Sequence, residues 1–221
     1  MIMQHIELDI KIGNTHYPMI KVMQEKFLMG GQDSGIKEHE EEISKSFFMG
    51  KYPVTQEVSQ DVMHEQPNNK YLGRLKPVDE VSYEECTTFI CKLKEITRLP
   101  FDLPTETQWE FAAKGGILSK GYNLLGSNSP EDVMGKNEID DGYQTVTYDV
   151  GLFKPNEIGL YDMTNNLSEW CKTDKSPILK GGLLGYEGGI IWEHCSCAQQ
   201  LTDYAADSYT PNKGLRLVVN L

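Results

Sequence analysis

The chain has 221 residues, enough to bury one sizeable core, and we expect a single domain spanning residues 1–221. Its 21 lysines and arginines stand against 33 aspartates and glutamates, and the resulting net charge of −12 repels phosphate backbones and anionic membrane surfaces, so we expect neither nucleic acid nor a membrane as a partner. With 39% hydrophobic residues, 20 glycines and 10 prolines, the composition favours a packed, loop-rich fold over a disordered chain or a helical bundle.

The N-terminal part favours extended structure. Residues 4–12 alternate apolar and polar side chains, and residues 17–29 also read as extended, so we predict an opening hairpin or meander. Residues 30–42 are glycine-rich and then acidic, which predicts a solvated surface loop before a short strand. Because the N-terminus holds no continuous apolar segment of the signal-peptide kind, we expect a cytoplasmic protein, with export of a longer precursor left open.

A first helix is predicted from Ser82 onward, where apolar residues begin to recur at helical spacing. Ser82 can cap this helix, and Glu85 three residues later completes a capping box. The face predicted to be buried consists of Cys86, Phe89, Ile90, Leu93 and Ile96.

A second helix is predicted to begin after Thr105, with Gln108 three residues on, and to stop at Gly115 and Gly116. Its inward-facing residues should be Trp109, Phe111 and Ala112. Beyond this helix, glycine- and asparagine-rich loops separate short predicted strands at residues 145–153, 167–171 and 214–221. Two main helices among short strands and long loops predict an α+β fold.

The stretch GLYDMTNNLSEW, residues 159–170, concentrates four oxygen-bearing side chains, those of Asp162, Asn165, Asn166 and Glu169. Carboxylate and carbonyl oxygens are the ligands of a hard cation such as Ca²⁺. Asn and Asp also commonly form turns in which the side chain binds the local backbone. The residues by themselves leave both interpretations open, with the turns favoured.

Several motifs in a fixed order indicate a family. They are FLMGG (27–31), FFMGKYPVTQ (47–56), PVDEVSYEEC (77–86), LPTETQWEFAAKGG (103–116), VGLFKPNEIGLYDMTNNLSEW (150–170), KGG (180–182) and GLRLV (214–218). In this order the chain resembles the formylglycine-generating enzyme and sulfatase-modifying factor family over about residues 20–219. The resemblance implies a C-type-lectin-like fold with little regular secondary structure.

The resemblance also implies calcium as a cofactor. It transfers a Ca²⁺ site onto the side chains of Asp162 and Glu169 and the backbone carbonyls of Asn165 and Leu167, which turns the oxygen-rich stretch into a metal loop. A second family site falls in a shortened region and is the weaker of the two assignments. Its residues would be Asn137, Glu138, Asp141 and Tyr143.

The chemistry of the family is not visible at the matching positions. Enzymes of the family oxidise a substrate cysteine to formylglycine with O₂, using two cysteines that bind Cu(I) after the GG motif. Here the alignment places Tyr186 or Glu187 near the first of these cysteines and Trp192 near the second. Since none of these is a thiol, the sequence favours a scaffold without the catalytic pair.

Two other cysteines lie nearby, Cys195 and Cys197, and they form the alternative catalytic pair. Residues two apart on a strand share a face, so both sulfurs could reach one copper ion. Buried structural thiols are the commoner case and are favoured here. The five cysteines of the chain form an odd set without a CxxC pair, which favours reduced thiols.

The favoured function is therefore a non-catalytic binding module on a calcium-stabilised scaffold, related to the variable proteins of diversity-generating retroelements within the family. Its recognition surface would be the C-terminal loops, residues 183–213, which mix rigid aromatic and adaptable polar residues and would bind a protein, a peptide or a small ligand. The alternative is a copper-dependent formylglycine-generating oxidase acting on a protein cysteine. The predicted ligand-binding residues are Tyr186, Glu187, Trp192, Tyr204 and Tyr209.

Overall fold

A computed structural model describes residues 6–31, 34–67, 69, 71–133, 147–182, 195–202 and 212–221. Within these ranges the strands are β1 (Glu7–Ile12), β2 (Thr15–Val22), β3 (Glu25–Gly31), β4 (Ile36–Ile43), β5 (Phe47–Gly50), β6 (Phe101–Asp102), β7 (Ser168–Cys171), β8 (Ile178–Gly181), β9 (Lys213–Gly214) and β10 (Val218–Asn220). The helices are α1 (Gln56–Met63), α2 (Tyr83–Thr97), α3 (Glu106–Ala113) and the single turn α4 (Pro130–Val133).

The strands of the described chain form three sheets. The largest has five strands in the order β1-β2-β5-β10-β6, and all of its pairs are antiparallel. In this sheet the C-terminal strand β10 lies between β5 and β6, so the first and last strands of the described chain belong to the same sheet. A hairpin of β3 and β4 forms the second sheet, and the third has the order β8-β7-β9.

The two predicted helices are confirmed, together with their caps. The Ser82 hydroxyl accepts a hydrogen bond from the Glu85 backbone N–H while the Glu85 carboxylate accepts one from the Ser82 N–H, and Thr105 and Gln108 repeat this capping box at α3. Four of the five residues predicted for the buried face of α2 are buried, but Ile96 is 47% exposed. The last turn of α2 therefore extends past the core.

In the N-terminal half one prediction was wrong and one helix was missed. The acidic run was predicted to be a loop, but its residues from Ile36 onward form β4, which pairs with β3 and keeps most of its glutamates in solvent. Helix α1 was not predicted, because its buried face carries Gln56 and Ser59 beside Val58 and Val62, and this mixture hides the apolar periodicity. The buried side chain of Gln56 is stabilised by hydrogen bonds with the backbone of Tyr71, Gly73 and Pro77.

The buried apolar residues form two clusters. One surrounds Trp109 and Phe111 of α3 and includes Cys171, Cys195 and Cys197. The other packs α1 and α2 against the five-stranded sheet. In the described part of the chain, no helix has the length and apolar character needed to span a membrane.

Candidate functional site

A buried ion pair lies at the end of the oxygen-rich stretch. Glu169 on β7 and Arg216, just before β10, are both 0% exposed. The Arg216 Nη2 atom lies 2.7 Å from Glu169 Oε1 and its Nε atom lies 3.0 Å from Oε2, so the ion pair is bidentate. The indole N–H of Trp109 also donates to Oε2, at 2.6 Å. Both oxygens of the Glu169 carboxylate are therefore engaged by N–H donors.

Arg216 also joins separate parts of the fold. Its Nη1 atom donates to the Gly50 carbonyl at 2.9 Å and its Nη2 atom to the Tyr161 carbonyl at 2.7 Å. Burial opposes the charge of the guanidinium, but the Glu169 carboxylate outweighs burial and raises the pKa of Arg216. The GLRLV motif contains Arg216, but the sequence analysis assigned this arginine no role. A single cationic residue between apolar residues near the C-terminus was the sequence feature that could have indicated a buried ion pair.

The other oxygen-bearing side chains of the stretch bind different segments of backbone. Asp162 accepts the N–H of Gly151 at 2.8 Å, Asn165 donates to the Val133 carbonyl, and Asn166 exchanges hydrogen bonds with the N–H and carbonyl of Tyr148. Asp162 and Asn166 adopt φ values of 62° and 64°, the left-handed conformation that Asp and Asn tolerate. The stretch thus ties residues 147–151 and the end of α4 to the core.

This arrangement does not fit the predicted calcium ligands. Glu169 holds Arg216, whose positive charge lies where a cation would have to approach, and the Asn165 carbonyl accepts the Leu167 N–H at 2.7 Å. Asp162 is buried, and its carboxylate accepts the Gly151 N–H. One observation favours a cation. The side-chain oxygen Oδ1 of Asn165 is buried without a hydrogen-bond partner.

Among the described residues, no three Asp, Glu, His or Cys side chains are grouped closely enough to hold a metal ion. The predicted second calcium site lies outside the described residues. Calcium therefore stays a prediction, with Glu169 removed from its ligand set.

The KGG motif packs against the oxygen-rich stretch. A Cβ atom on Gly181 would lie 2.7 Å from the Met163 carbonyl, and one on Gly182 would lie 2.8 Å from the Thr164 carbonyl. Both positions therefore need glycine. Gly181 also has a φ of 94°, which side chains rarely adopt.

A second buried ion pair holds the base of the C-terminal segment. Lys180 and Glu110 are both 0% exposed, with Lys180 Nζ 2.9 Å from Glu110 Oε2 and 3.1 Å from the Ala198 carbonyl. The other oxygen of Glu110 accepts the Gly30 N–H at 2.6 Å. These contacts make Glu110 a structural hydrogen-bonding residue. Lys180 thus ties β8 to α3 and to the segment that contains Cys197.

The candidate cysteines are core residues. Cys195 is 0% and Cys197 1% exposed, and both belong to the apolar cluster around Trp109. Burial raises the pKa of the Cys197 thiol to about 12, which keeps it protonated at neutral pH. Copper binding requires the thiolate form. This environment is that of structural thiols.

The five predicted ligand-binding residues lie in 183–194 and 203–211, outside the described residues. The residues on either side of these segments are fixed to the fold. Leu201 exchanges backbone hydrogen bonds of 2.9 and 3.1 Å with Leu179 of β8, the Cys197 N–H donates to the Asn123 carbonyl, and the Asn212 carbonyl accepts the Ser168 N–H at 2.9 Å. Each segment therefore starts and ends at a fixed point near the three-stranded sheet.

The profile of the sulfatase-modifying factor enzyme 1-like domain matches residues 11–221. This chain belongs to the formylglycine-generating enzyme and sulfatase-modifying factor family. The chaperone protein LppX of Paenibacillus barcinonensis is 27% identical over 229 residues, covering 78% of this chain and 79% of LppX. The inactive C-alpha-formylglycine-generating enzyme 2 of Bos taurus is 40% identical over 76 residues, 31% of this chain and about a quarter (25%) of that protein, and relatives named formylglycine-generating enzyme match as well.

A solved structure extends the comparison to the fold. Treponema denticola variable protein 1 superposes with a TM-score of 0.80 at 20% sequence identity, over 98% of this chain and 99% of that one. The likeness confirms the predicted α+β fold of the formylglycine-generating enzyme type.

Proposed function

We propose that this member of the family is a non-catalytic binding module whose recognition surface, within the region 183–213, is built from residues 183–194 and 203–211. The observation that carries the proposal is the anchoring described above: residues 183–194 and 203–211 connect points that β7, β8 and the Lys180–Glu110 pair hold in place. Connecting segments held by a rigid scaffold carry binding residues disproportionately often.

Two further points support this proposal over the oxidase. Cys195 and Cys197 are buried in an apolar cluster, an unfavourable environment for the thiolates that Cu(I) needs. The fold is shared with a protein named as variable, and a relationship to such proteins was the favoured interpretation of the sequence. The ligand class would be a peptide or protein, since aromatic and small polar residues in loops favour such surfaces.

The test is selection of binding peptides from a displayed random library with the wild-type protein. A variant with Tyr186, Glu187, Trp192, Tyr204 and Tyr209 all changed to Ala should lose the enriched peptides while keeping its melting temperature. Leu72→Ala with Leu152→Ala is the matched control, because both leucines are exposed, at 60% and 62%, and lie outside the proposed surface.

Retention of the peptides by the five-alanine variant would refute the surface. A large fall in melting temperature for Trp192→Ala alone would place that residue in the core instead. Stoichiometric anaerobic Cu(I) binding that is lost on Cys195→Ser with Cys197→Ser would favour the oxidase.

A further inference from the structure

A pocket of about 610 Å³ opens beside helices α1 and α2. It lies between the C-terminal end of α1, residues 78–81 and the first two turns of α2. Pockets of about 300 to 1,000 Å³ are the usual size for binding a small ligand or a few side chains.

The floor of this pocket is apolar. Val78, Cys86, Phe89 and Leu215 line it, all four are at most 5% exposed, and all belong to one hydrophobic cluster. Met63 adds a flexible apolar side chain at the end of α1. Such a floor favours the aliphatic or aromatic part of a ligand.

The rim carries negative charge. None of the described lining residues is Lys, Arg or His, and four are acidic. The four are Glu65, Asp79, Glu80 and Glu85. Asp79 is turned towards Asn69 and Thr147, and one oxygen of Glu85 caps α2, so Glu65 and Glu80 contribute most to the charge at the opening. The nearest lysine along the chain from Leu215, Lys213, packs over the Trp170 ring, 5.5 Å from its centroid.

We propose that this pocket binds a lysine or arginine side chain of a peptide, together with a neighbouring apolar side chain. Basic side chains bury their aliphatic stems along apolar surface and keep the charged head at its edge, which matches an apolar floor below a carboxylate rim. The volume leaves room for a second side chain. The net charge of −12 attracts cationic segments from a distance. The described residues that line this pocket all lie outside residues 183–213.

The test uses the full chain, labelled with nitrogen-15, and three capped tripeptides, acetyl-Leu-Lys-Leu-amide, acetyl-Leu-norleucine-Leu-amide and acetyl-Leu-Glu-Leu-amide. The lysine peptide should shift amide signals of residues 78–81 and of the start of α2, and the other two should bind at least threefold more weakly. Glu65→Gln and Glu80→Gln should each weaken lysine-peptide binding about two- to fivefold, the range for partly exposed charge pairs. The control Glu95→Gln removes the same charge at the exposed end of α2 and should leave affinity unchanged.

Three results would overturn the proposal. They are equal binding of the norleucine peptide, an equal effect of Glu95→Gln, and an absence of shifts at the pocket at millimolar peptide. Melting curves of all variants would show that each is folded. Because the peptides are chosen by charge and the readout is mapped to the pocket, failure here leaves the proposal for residues 183–213 untouched.

Discussion

Replacement of Arg216 by lysine tests whether the buried ion pair holds the scaffold together. Lysine keeps the positive charge but has a single ammonium group, so it cannot make the two-pronged pair with Glu169 and also reach the carbonyls of Gly50 and Tyr161. Leaving buried acceptors unpaired costs about 1–3 kcal/mol each, and we expect Arg216→Lys to lower the free energy of unfolding by about 2–4 kcal/mol. For a chain of this length that is a fall in melting temperature of about 5 to 15 °C.

The assay is urea unfolding followed by circular dichroism at pH 7. Arg74→Lys is the matched control, because Arg74 pairs with Glu57 at 2.7 Å but is 85% exposed, and such a pair contributes at most about 1 kcal/mol. Arg216→Met, which leaves Glu169 as an unpaired buried charge, should cost about 3–5 kcal/mol. If Arg216→Lys and Arg74→Lys were equally mild, the claim that the hydrogen bonds of Arg216 hold the scaffold together would fail.

Three other predictions follow from the same site. Chelation with EDTA should leave the melting temperature unchanged, because Asp162, Glu169 and the Asn165 carbonyl bind other protein groups; a clear fall, reversed by added Ca²⁺, would support the calcium prediction. Burial raises the pKa of Asp162 from 3.8 to about 6, so this group stabilises the fold below pH 3.8 and the contribution, up to about 3 kcal/mol, is lost as pH rises through about 6. Asp162→Asn should flatten that part of the pH dependence in urea unfolding between pH 4.5 and 7.5, while the exposed control Asp149→Asn should not. A disulfide reagent such as dithiodipyridine should react with one thiol of the native protein, that of the exposed Cys91, and with all five after denaturation; rapid reaction of more would contradict the burial of the candidate copper pair.

Local signals predicted the elements whose stability is local. The caps at Ser82 and Thr105 depend on residues three positions apart, and both helices begin where those pairs predict. Helix α1 and strand β4 were not predicted, because the first buries Gln56 through contacts with distant backbone and the second is paired with β3 but largely solvated. The structure of α1 and β4 therefore depends on contacts with distant parts of the chain more than on their own composition.

The oxygen-rich stretch shows why the site was harder to predict than the fold. The spacing of Asp162, Asn165 and Glu169 is compatible with a metal loop, and equally with tethers to other parts of the chain. For Glu169 the partner is Arg216, which comes 47 residues later in sequence. Counting oxygen ligands in a loop does not show whether an arginine binds the same carboxylate. Before a metal ion is assigned to an acidic loop, a lone arginine in an apolar segment of the same chain should be considered as the partner of that loop's carboxylate.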